Sequence, residues 1–203
     1  MVARTRWLAV MIAPFVGACS DVEGDGHDDH GHTHEHEVIT TVELVFTDGA
    51  GTQTFVWADP EDDGSPVIDT VDLAAGTYTV ELSFLNELED PAEDITPEIA
   101  DETDEHQVFF TGSAVNGPAA DNPGAPLDHV YDDVDAGGLP VGLENTLVAT
   151  AGSGDLVVTL RHLPEESGSP TKVDGLASDV AAGGLSAIGG ESDVSVTFPV
   201  TVQ

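Results

Sequence analysis

The chain has 203 residues, of which only 4 are Lys or Arg while 39 are Asp or Glu, so its formal net charge at pH 7 is −35. This charge repels phosphate groups, which excludes nucleic acid and anionic lipid surfaces as electrostatic partners. The single cysteine excludes an intramolecular disulfide and any thiolate-based zinc or nucleophile site. The length suits one domain, or two small ones, with enough apolar residues for a buried core.

Residues 1–18 are typical of a lipoprotein signal peptide. Arg4 and Arg6 precede an apolar run over residues 7–16, and small residues then lead to Cys19. The run is about half as long as the roughly 20 apolar residues that a transmembrane helix needs. We therefore expect cleavage before Cys19 and a diacylglycerol membrane anchor on its thiol. Ser20 follows the cysteine, which favours the outer membrane over retention in the inner membrane.

Residues 19–37 are predicted to form a lipidated, disordered tether rich in His and Asp. No apolar residue lies between Val22 and Val38, so this segment has nothing to pack into a core. Neutral imidazole is a preferred protein ligand of zinc, copper and nickel, and carboxylates can complete the coordination. The predicted metal ligands are His27, His30, His32, His34 and His36. A solvated spacer without metal is the alternative interpretation of the same tract.

From Val38 onward, apolar and polar residues alternate with a period of two. The segments 41–46, 53–57, 77–84 and 193–202 are rich in β-branched and aromatic residues and are bounded by turn formers. Helical patterns are short. Thr96 as a cap with Pro97 behind it predicts one helix as far as Glu105, and a second is expected after Ser178. The pattern predicts an all-β fold.

The β-region contains an internal repeat. Residues 57–67 match 131–141 at an offset of 74, residues 76–87 match 154–165 at 78, and residues 44–47 match 108–111 at 64. Strands with one apolar face need a second sheet to cover that face. Residues 38–203 are therefore predicted to form a β-sandwich of about nine strands built from two related halves. Two tandem immunoglobulin-like domains, 38–112 and 113–203, are the alternative.

Acidic turns within the repeat predict a second kind of cation site. In each copy several carboxylates precede a glycine, as they do in loops that bind calcium through hard oxygen ligands. The candidate calcium ligands are Asp59, Glu61, Asp63, Asp133 and Asp135. Acidic turns that only serve solvation produce the same pattern.

Three further histidines, His106, His129 and His162, lie inside the β-region. One interpretation is a folded three-histidine metal site, and the other is a set of surface or hydrogen-bonded strand residues. Signatures of catalysis are missing from the sequence, which has no nucleophile elbow, no zinc-protease helix motif and no phosphate-binding loop. We therefore expect that the protein is not an enzyme.

Six segments of the chain carry a resemblance to a known family. They are residues 85–87, 93–99, 104–110, 140–143, 158–162 and 196–201. In these segments the chain resembles a poorly characterised family of small bacterial lipoproteins with an acidic or His-rich tether, some of them labelled "type 1 periplasmic binding fold superfamily". The resemblance implies an accessory lipoprotein of the periplasm or cell surface that works beside an outer-membrane receptor.

Three functions fit these observations. The first is an outer-membrane lipoprotein that captures or buffers transition-metal ions, zinc above copper or nickel, through the His-rich tether. The second is a structural or adhesive β-sandwich that the tether holds away from the membrane. The third is a carbohydrate- or peptide-binding sandwich that uses Trp57 and Tyr131.

Overall fold

The structure, a computed structural model, describes residues 37–203. The predicted signal peptide, the lipidation site Cys19 and the tether histidines lie outside the described residues; these histidines are His27, His30, His32, His34 and His36. Within the described part of the chain, none of the helices has the length and apolar character needed to cross a membrane.

The described residues form nine strands of three or more residues and three strands of two residues. The strands are β1 (Thr41–Thr47), β2 (Thr52–Ala58), β3 (Val67–Ile68), β4 (Val71–Leu73), β5 (Gly76–Asn86), β6 (Glu93–Asp94), β7 (His106–Thr111), β8 (Val115–Asn116), β9 (Leu127–Tyr131), β10 (Glu144–Ala149), β11 (Gly152–His162) and β12 (Glu191–Val202). Two helices, α1 (Thr96–Asp101) and α2 (Leu176–Gly183), and a 3-10 turn (Leu185–Ala187) complete the elements. The predicted all-β class is confirmed.

The strands form two sheets. Sheet A has the order β3-β2-β1-β5-β10-β9-β8 with β6 paired to β5, and sheet B has the order β4-β12-β11-β7. Neighbouring strands run antiparallel except for two parallel pairs, β4 with β12 and β8 with β9. Each sheet combines strands from before and after Gly112, so both halves of the chain contribute to the core between the sheets.

The core follows from the alternation in the sequence. In a strand, every second side chain points to the same face, and these positions are apolar in the long strands. The inward residues of β5 and β11 are buried; they are Tyr78, Val80, Leu82, Phe84, Leu156, Val158 and Leu160. Val196, Phe198 and Val200 of β12 join the same cluster. The two apolar faces thus cover each other, as the sandwich prediction required.

The repeat is visible in the register of two strand pairs. In sheet A, Leu44 of β1 lies opposite Leu82 of β5. In sheet B, Val108 of β7 lies opposite Leu160 of β11. Because these residues match at the offsets of 64 and 78, the two copies build the same antiparallel pair in the same register, once in each sheet.

Both helices differ from their predicted bounds. Helix α1 ends at Asp101 rather than Glu105, and the Thr96 hydroxyl does not cap it. This hydroxyl instead accepts a hydrogen bond from the Phe84 N–H of β5 at 2.9 Å. Helix α2 starts at Leu176, before the expected Ser178, because its buried residues cover apolar side chains on the outer face of sheet B. Because α1 ends at Asp101, residues 102–105 connect it to β7, which begins at His106.

A candidate metal centre

Two histidines face each other at one end of sheet B. His106 is the first residue of β7, His162 is the last residue of β11, and the two are paired across the strands. Each is in phase with the inward apolar residues of its strand, so both side chains point to the inner face. The His106 side chain is 0% exposed and that of His162 is 8% exposed. Their rings stack with centroids 4.7 Å apart and planes inclined by 9°.

Glu37 brings a carboxylate to this histidine pair from the segment before β1. Its Oε1 lies 3.5 Å from Nε2 of His106, and its side chain is 7% exposed. This distance is longer than a typical hydrogen bond, and neither the buried Nε2 of His106 nor the buried Oε2 of Glu37 has a hydrogen-bond partner among residues 37–203. One ligand atom from each of Glu37, His106 and His162 lies within 4.8 Å of the other two. We call these three residues the metal centre.

The backbone of the α1–β7 connection orients His106. Its Nδ1 lies 3.1 Å from the carbonyl oxygen of Glu102, at the end of α1. In the neutral ring, Nδ1–H therefore donates to this carbonyl, and the lone pair of Nε2 faces the centre. Histidines that bind metals commonly have this second hydrogen bond, which fixes the tautomer and the plane of the ring.

His162 is held by a close approach of the backbone. Gly190, just before β12, has φ of +74°, and a Cβ at this position would collide with the carbonyl oxygen of His162. Only glycine combines this φ with this contact at no cost. In addition, His162 Nε2 lies 3.5 Å from Oε2 of Glu105, a side chain that is 35% exposed. The backbone of His162 is therefore packed against the start of β12, and its ring is bordered by Glu105.

The charges of Glu37 and His106 stabilise each other. Burial disfavours both charged forms, but the attraction between the two groups outweighs it. The pKa of His106 is raised above its ordinary value of 6.5, and the pKa of Glu37 is lowered below its ordinary value of 4.5. Nearby acids add negative potential: partial burial and then Glu102 raise the pKa of Glu98 on α1. Without metal, the centre is a site where positive charge is favoured.

The geometry is close to that of a metal site. With bonds of about 2.0–2.1 Å, the ligand atoms of tetrahedral zinc lie about 3.4 Å apart. The 3.5 Å between Glu37 and His106 already fits this separation. The full group spans up to 4.8 Å, so a bound ion would draw the most distant ligand atoms together by about 1.4 Å. Imidazole and carboxylate ligands suit zinc and other divalent ions of the first transition row.

The repeat shows what occupies the same positions in the first copy. At the offsets of 64 and 78, His106 matches Val42 and His162 matches Phe84. Val42 and Phe84 lie opposite each other in sheet A, and both are fully buried. The second copy thus has two imidazoles where the first has an ordinary apolar pair. Burying polar rings costs free energy unless they gain partners, so the histidine pair is a specialised feature.

His129 does not join the centre. It lies on β9 in sheet A, with its Nε2 2.9 Å from Oδ1 of Asn145 and its ring stacked on Phe110. Burial lowers its pKa to about 4, so the ring is neutral near pH 7. Of the three histidines in the β-region, the structure brings together two and places the third in the core.

Most of the candidate calcium ligands accept hydrogen bonds from backbone N–H groups. Asp59 accepts from Asp63 and Gly64, and both oxygens of Asp133 accept N–H groups of residues 142–144. Glu61 and Asp63 are exposed. These donors compete with a cation for the oxygens of Asp59 and Asp133. Calcium binding at the turns stays a prediction.

Asp135 has a buried cationic partner. Its Oδ2 lies 2.9 Å from Nζ of Lys172, and the two side chains are 3% and 1% exposed. Lys172 also donates to the carbonyl oxygen of Thr103 at 2.6 Å. Burial lowers the pKa of the lysine, although Asp135 opposes this shift. The pair joins the second acidic turn to the loop before α2, which is a structural role.

Trp57 and Tyr131 are half-buried and pack against the core between the sheets. The Tyr131 hydroxyl donates to the carbonyl oxygen of Val108 at 2.8 Å.

Glu37 was not among the ligands predicted from the sequence, where it was only the last residue of the tether. The phase of His106 and His162 with neighbouring inward apolar residues was the available signal that both point into the sandwich.

No family model, curated protein or solved structure matches the chain. The resemblance to small bacterial lipoproteins therefore stays a prediction.

Proposed function

We propose that the protein is an outer-membrane lipoprotein that binds divalent transition-metal ions, zinc foremost, as an accessory capture or buffering protein. The observation that carries the proposal is the convergence of Glu37, His106 and His162, whose ligand atoms lie within 4.8 Å of one another. A divalent ion satisfies the buried Oε2 of Glu37 and Nε2 of His106, which have no hydrogen-bond partner within the described part of the chain. The folded domain holds one ion in this centre.

The sequence outside the described residues supplies the rest of the proposal. Cys19 carries the lipid anchor, and the tether histidines provide further imidazoles that bind zinc, copper or nickel near the membrane. The tether sites are expected to be weaker than the centre, because the fold already holds the ligand atoms of the centre close together. An outer-membrane receptor is the proposed partner.

Zinc calorimetry on the full chain tests the assignment of sites. In a tether variant, His27, His30, His32, His34 and His36 are replaced by Asn, and one tight equivalent of zinc should remain. Adding His106→Val and His162→Phe, which copies the apolar pair of the first half, should remove that equivalent. His129→Gln serves as the matched control because this histidine is buried outside the centre.

Each outcome selects one interpretation. Loss of all tight binding in the tether variant would place the metal on the tether alone. If the unaltered chain binds zinc, copper and nickel no tighter than roughly 10 µM, or about −7 kcal/mol, metal capture is wrong. The structural or adhesive sandwich would then be the better function.

A further inference from the structure

A second buried carboxylate borders the metal centre. Oδ2 of Asp193 lies 3.9 Å from Nε2 of His106, and the Asp193 side chain is 0% exposed. Asp193 belongs to β12, the neighbour of β11 in sheet B. It is thus a third position on sheet B that contributes a side chain to the same end of the sandwich.

A β-bulge directs Asp193 towards the centre. Leu160 pairs with Val194 and Arg161 pairs with Ser192, so the register shifts and Asp193 is the extra residue of β12. Val194 belongs to the core, yet the preceding Asp193 also points inwards to His106. Two consecutive inward side chains are incompatible with regular alternation, and bulges are the usual device for redirecting a side chain at a functional site.

We propose that Asp193 is the fourth ligand of the centre, which makes it a closed site of two imidazoles and two carboxylates for one divalent cation. This inference rests on the proposed metal-binding function and specifies its chemistry. His106, His162 and Asp193 are contributed by three adjacent strands of sheet B. Glu37 approaches from the segment that leads into sheet A, so the bound ion also joins the two sheets.

The charge balance favours a divalent ion. Two neutral imidazoles and two carboxylates carry a charge of −2, which a divalent cation cancels completely. A monovalent ion, or a divalent ion with only one carboxylate, leaves an uncompensated charge beside side chains that are almost fully buried. Tetrahedral nitrogen and oxygen ligands suit zinc and cobalt, whereas copper(II) prefers a tetragonal arrangement.

Four protein ligands leave no position for water. Structural and storage sites of zinc are closed in this way, whereas catalytic sites keep one position for water or substrate. The centre therefore holds its ion without activating a water molecule. Release of the ion requires one of the protein ligands to leave first.

Cobalt(II) spectroscopy tests the fourth ligand directly. The full chain with the five tether histidines replaced by Asn is loaded with one equivalent of cobalt, and its visible spectrum is recorded. Tetrahedral cobalt gives an intense band, whereas six-coordinate cobalt gives a weak one. We expect the intense band. A weak spectrum, typical of six-coordinate cobalt, would by itself overturn the proposed four-ligand site.

The substitution Asp193→Asn is a second test of the fourth ligand. It should lower zinc affinity by about tenfold or more and weaken the cobalt band as water enters the coordination sphere. The control is Asp155→Asn, an exposed acid on β11 of the same sheet, which should leave both unchanged. Melting of the metal-free variants verifies that they fold. Unchanged affinity and spectrum in Asp193→Asn would remove Asp193 from the ligand set but leave the proposed function intact, whereas absence of metal binding in the unaltered chain would overturn the function itself.

Discussion

The ring of His106 lies parallel to the ring of His162, at 4.7 Å, in positions that the repeat fills elsewhere with Val42 and Phe84. Replacing the histidines by His106→Val and His162→Phe should abolish zinc binding at the centre. It should also lower the free energy of unfolding of the metal-free protein by about 3–5 kcal/mol, because the buried carboxylate of Glu37 loses the imidazole that offsets its charge. Urea unfolding in a chelator measures the change. A double variant that is equally or more stable would contradict the mutual stabilisation of Glu37 and His106.

Metal should protect the peptide bond after Glu37. Coordination of its carboxylate fixes residue 37 at the end of sheet B, and a fixed bond is a poor protease substrate. A glutamate-specific protease should therefore cut between Glu37 and Val38 several-fold more slowly in saturating zinc. Cleavage after Glu89, which is exposed in a turn, provides the internal control. Equal protection in the His106→Val/His162→Phe variant would show that zinc acts elsewhere.

His129 should make the fold sensitive to mild acid. Burial lowers its pKa from 6.5 to about 4, so the unfolded chain binds a proton at a higher pH than the folded one. The contribution of neutral His129 to the free energy of unfolding is complete above pH 6.5 and is lost as the pH falls towards 4. The loss amounts to about 2 kcal/mol between pH 8 and pH 5. His129→Gln should reduce this difference in urea unfolding, whatever its effect at pH 8. The other titrating groups are common to both proteins and cancel in the comparison.

Gly190→Ala should disturb both the fold and the centre. The new Cβ would collide with the His162 carbonyl oxygen and would occupy a backbone conformation with φ of +74°. We expect a loss of about 1–3 kcal/mol and weaker zinc binding. Gly189→Ala is the control, because no atom lies within 4 Å of its added Cβ and its φ is not in the restricted range. Equal effects of the two substitutions in urea unfolding and calorimetry would contradict the packing argument.

Cys19→Ser should leave the protein without its lipid. No other residue of the chain can form the thioether that holds diacylglycerol, so the variant should persist as an uncleaved precursor. Partitioning into detergent and intact mass measure the result. Unchanged partitioning together with an unchanged lipid mass would disprove the lipoprotein prediction.

The local pattern predicted four of the longer strands well, namely β1, β2, β5 and β12. The alternating segments 41–46 and 77–84 became β1 and β5 with only small changes at their ends, since one apolar face in each was sufficient to define a strand. Once the pairing of Val42 with Phe84 is known from the structure, the repeat offsets imply that His106 pairs with His162. Periodicity within a strand and similarity between copies are both properties that a sequence records directly.

The remaining parts of the centre depend on contacts that leave little trace in the sequence. Asp193 alternates with Val194 like any outward acid, and only the bulge in β12 turns it inwards. Glu37 is one of many acids in a polar segment, and its role depends on the path of the chain into β1. His129 has the same residue type as His106 but lies in the other sheet. Which sheet a strand joins is decided by long-range packing rather than by its own residues.

The folded domain has no exposed lysine, because Lys172 is buried. This residue is the only lysine in the chain, and its Nζ is buried against Asp135, while Arg161 donates to the Gly189 carbonyl oxygen and the Ser192 hydroxyl. Residues 37–203 contain no other lysine or arginine. The folded domain therefore exposes no primary amine to acylating or cross-linking reagents, and trypsin-like proteases meet only two potential cleavage sites, one of them hidden. The scarcity of accessible basic residues therefore makes the folded domain resistant to trypsin-like proteases, without the help of a disulfide.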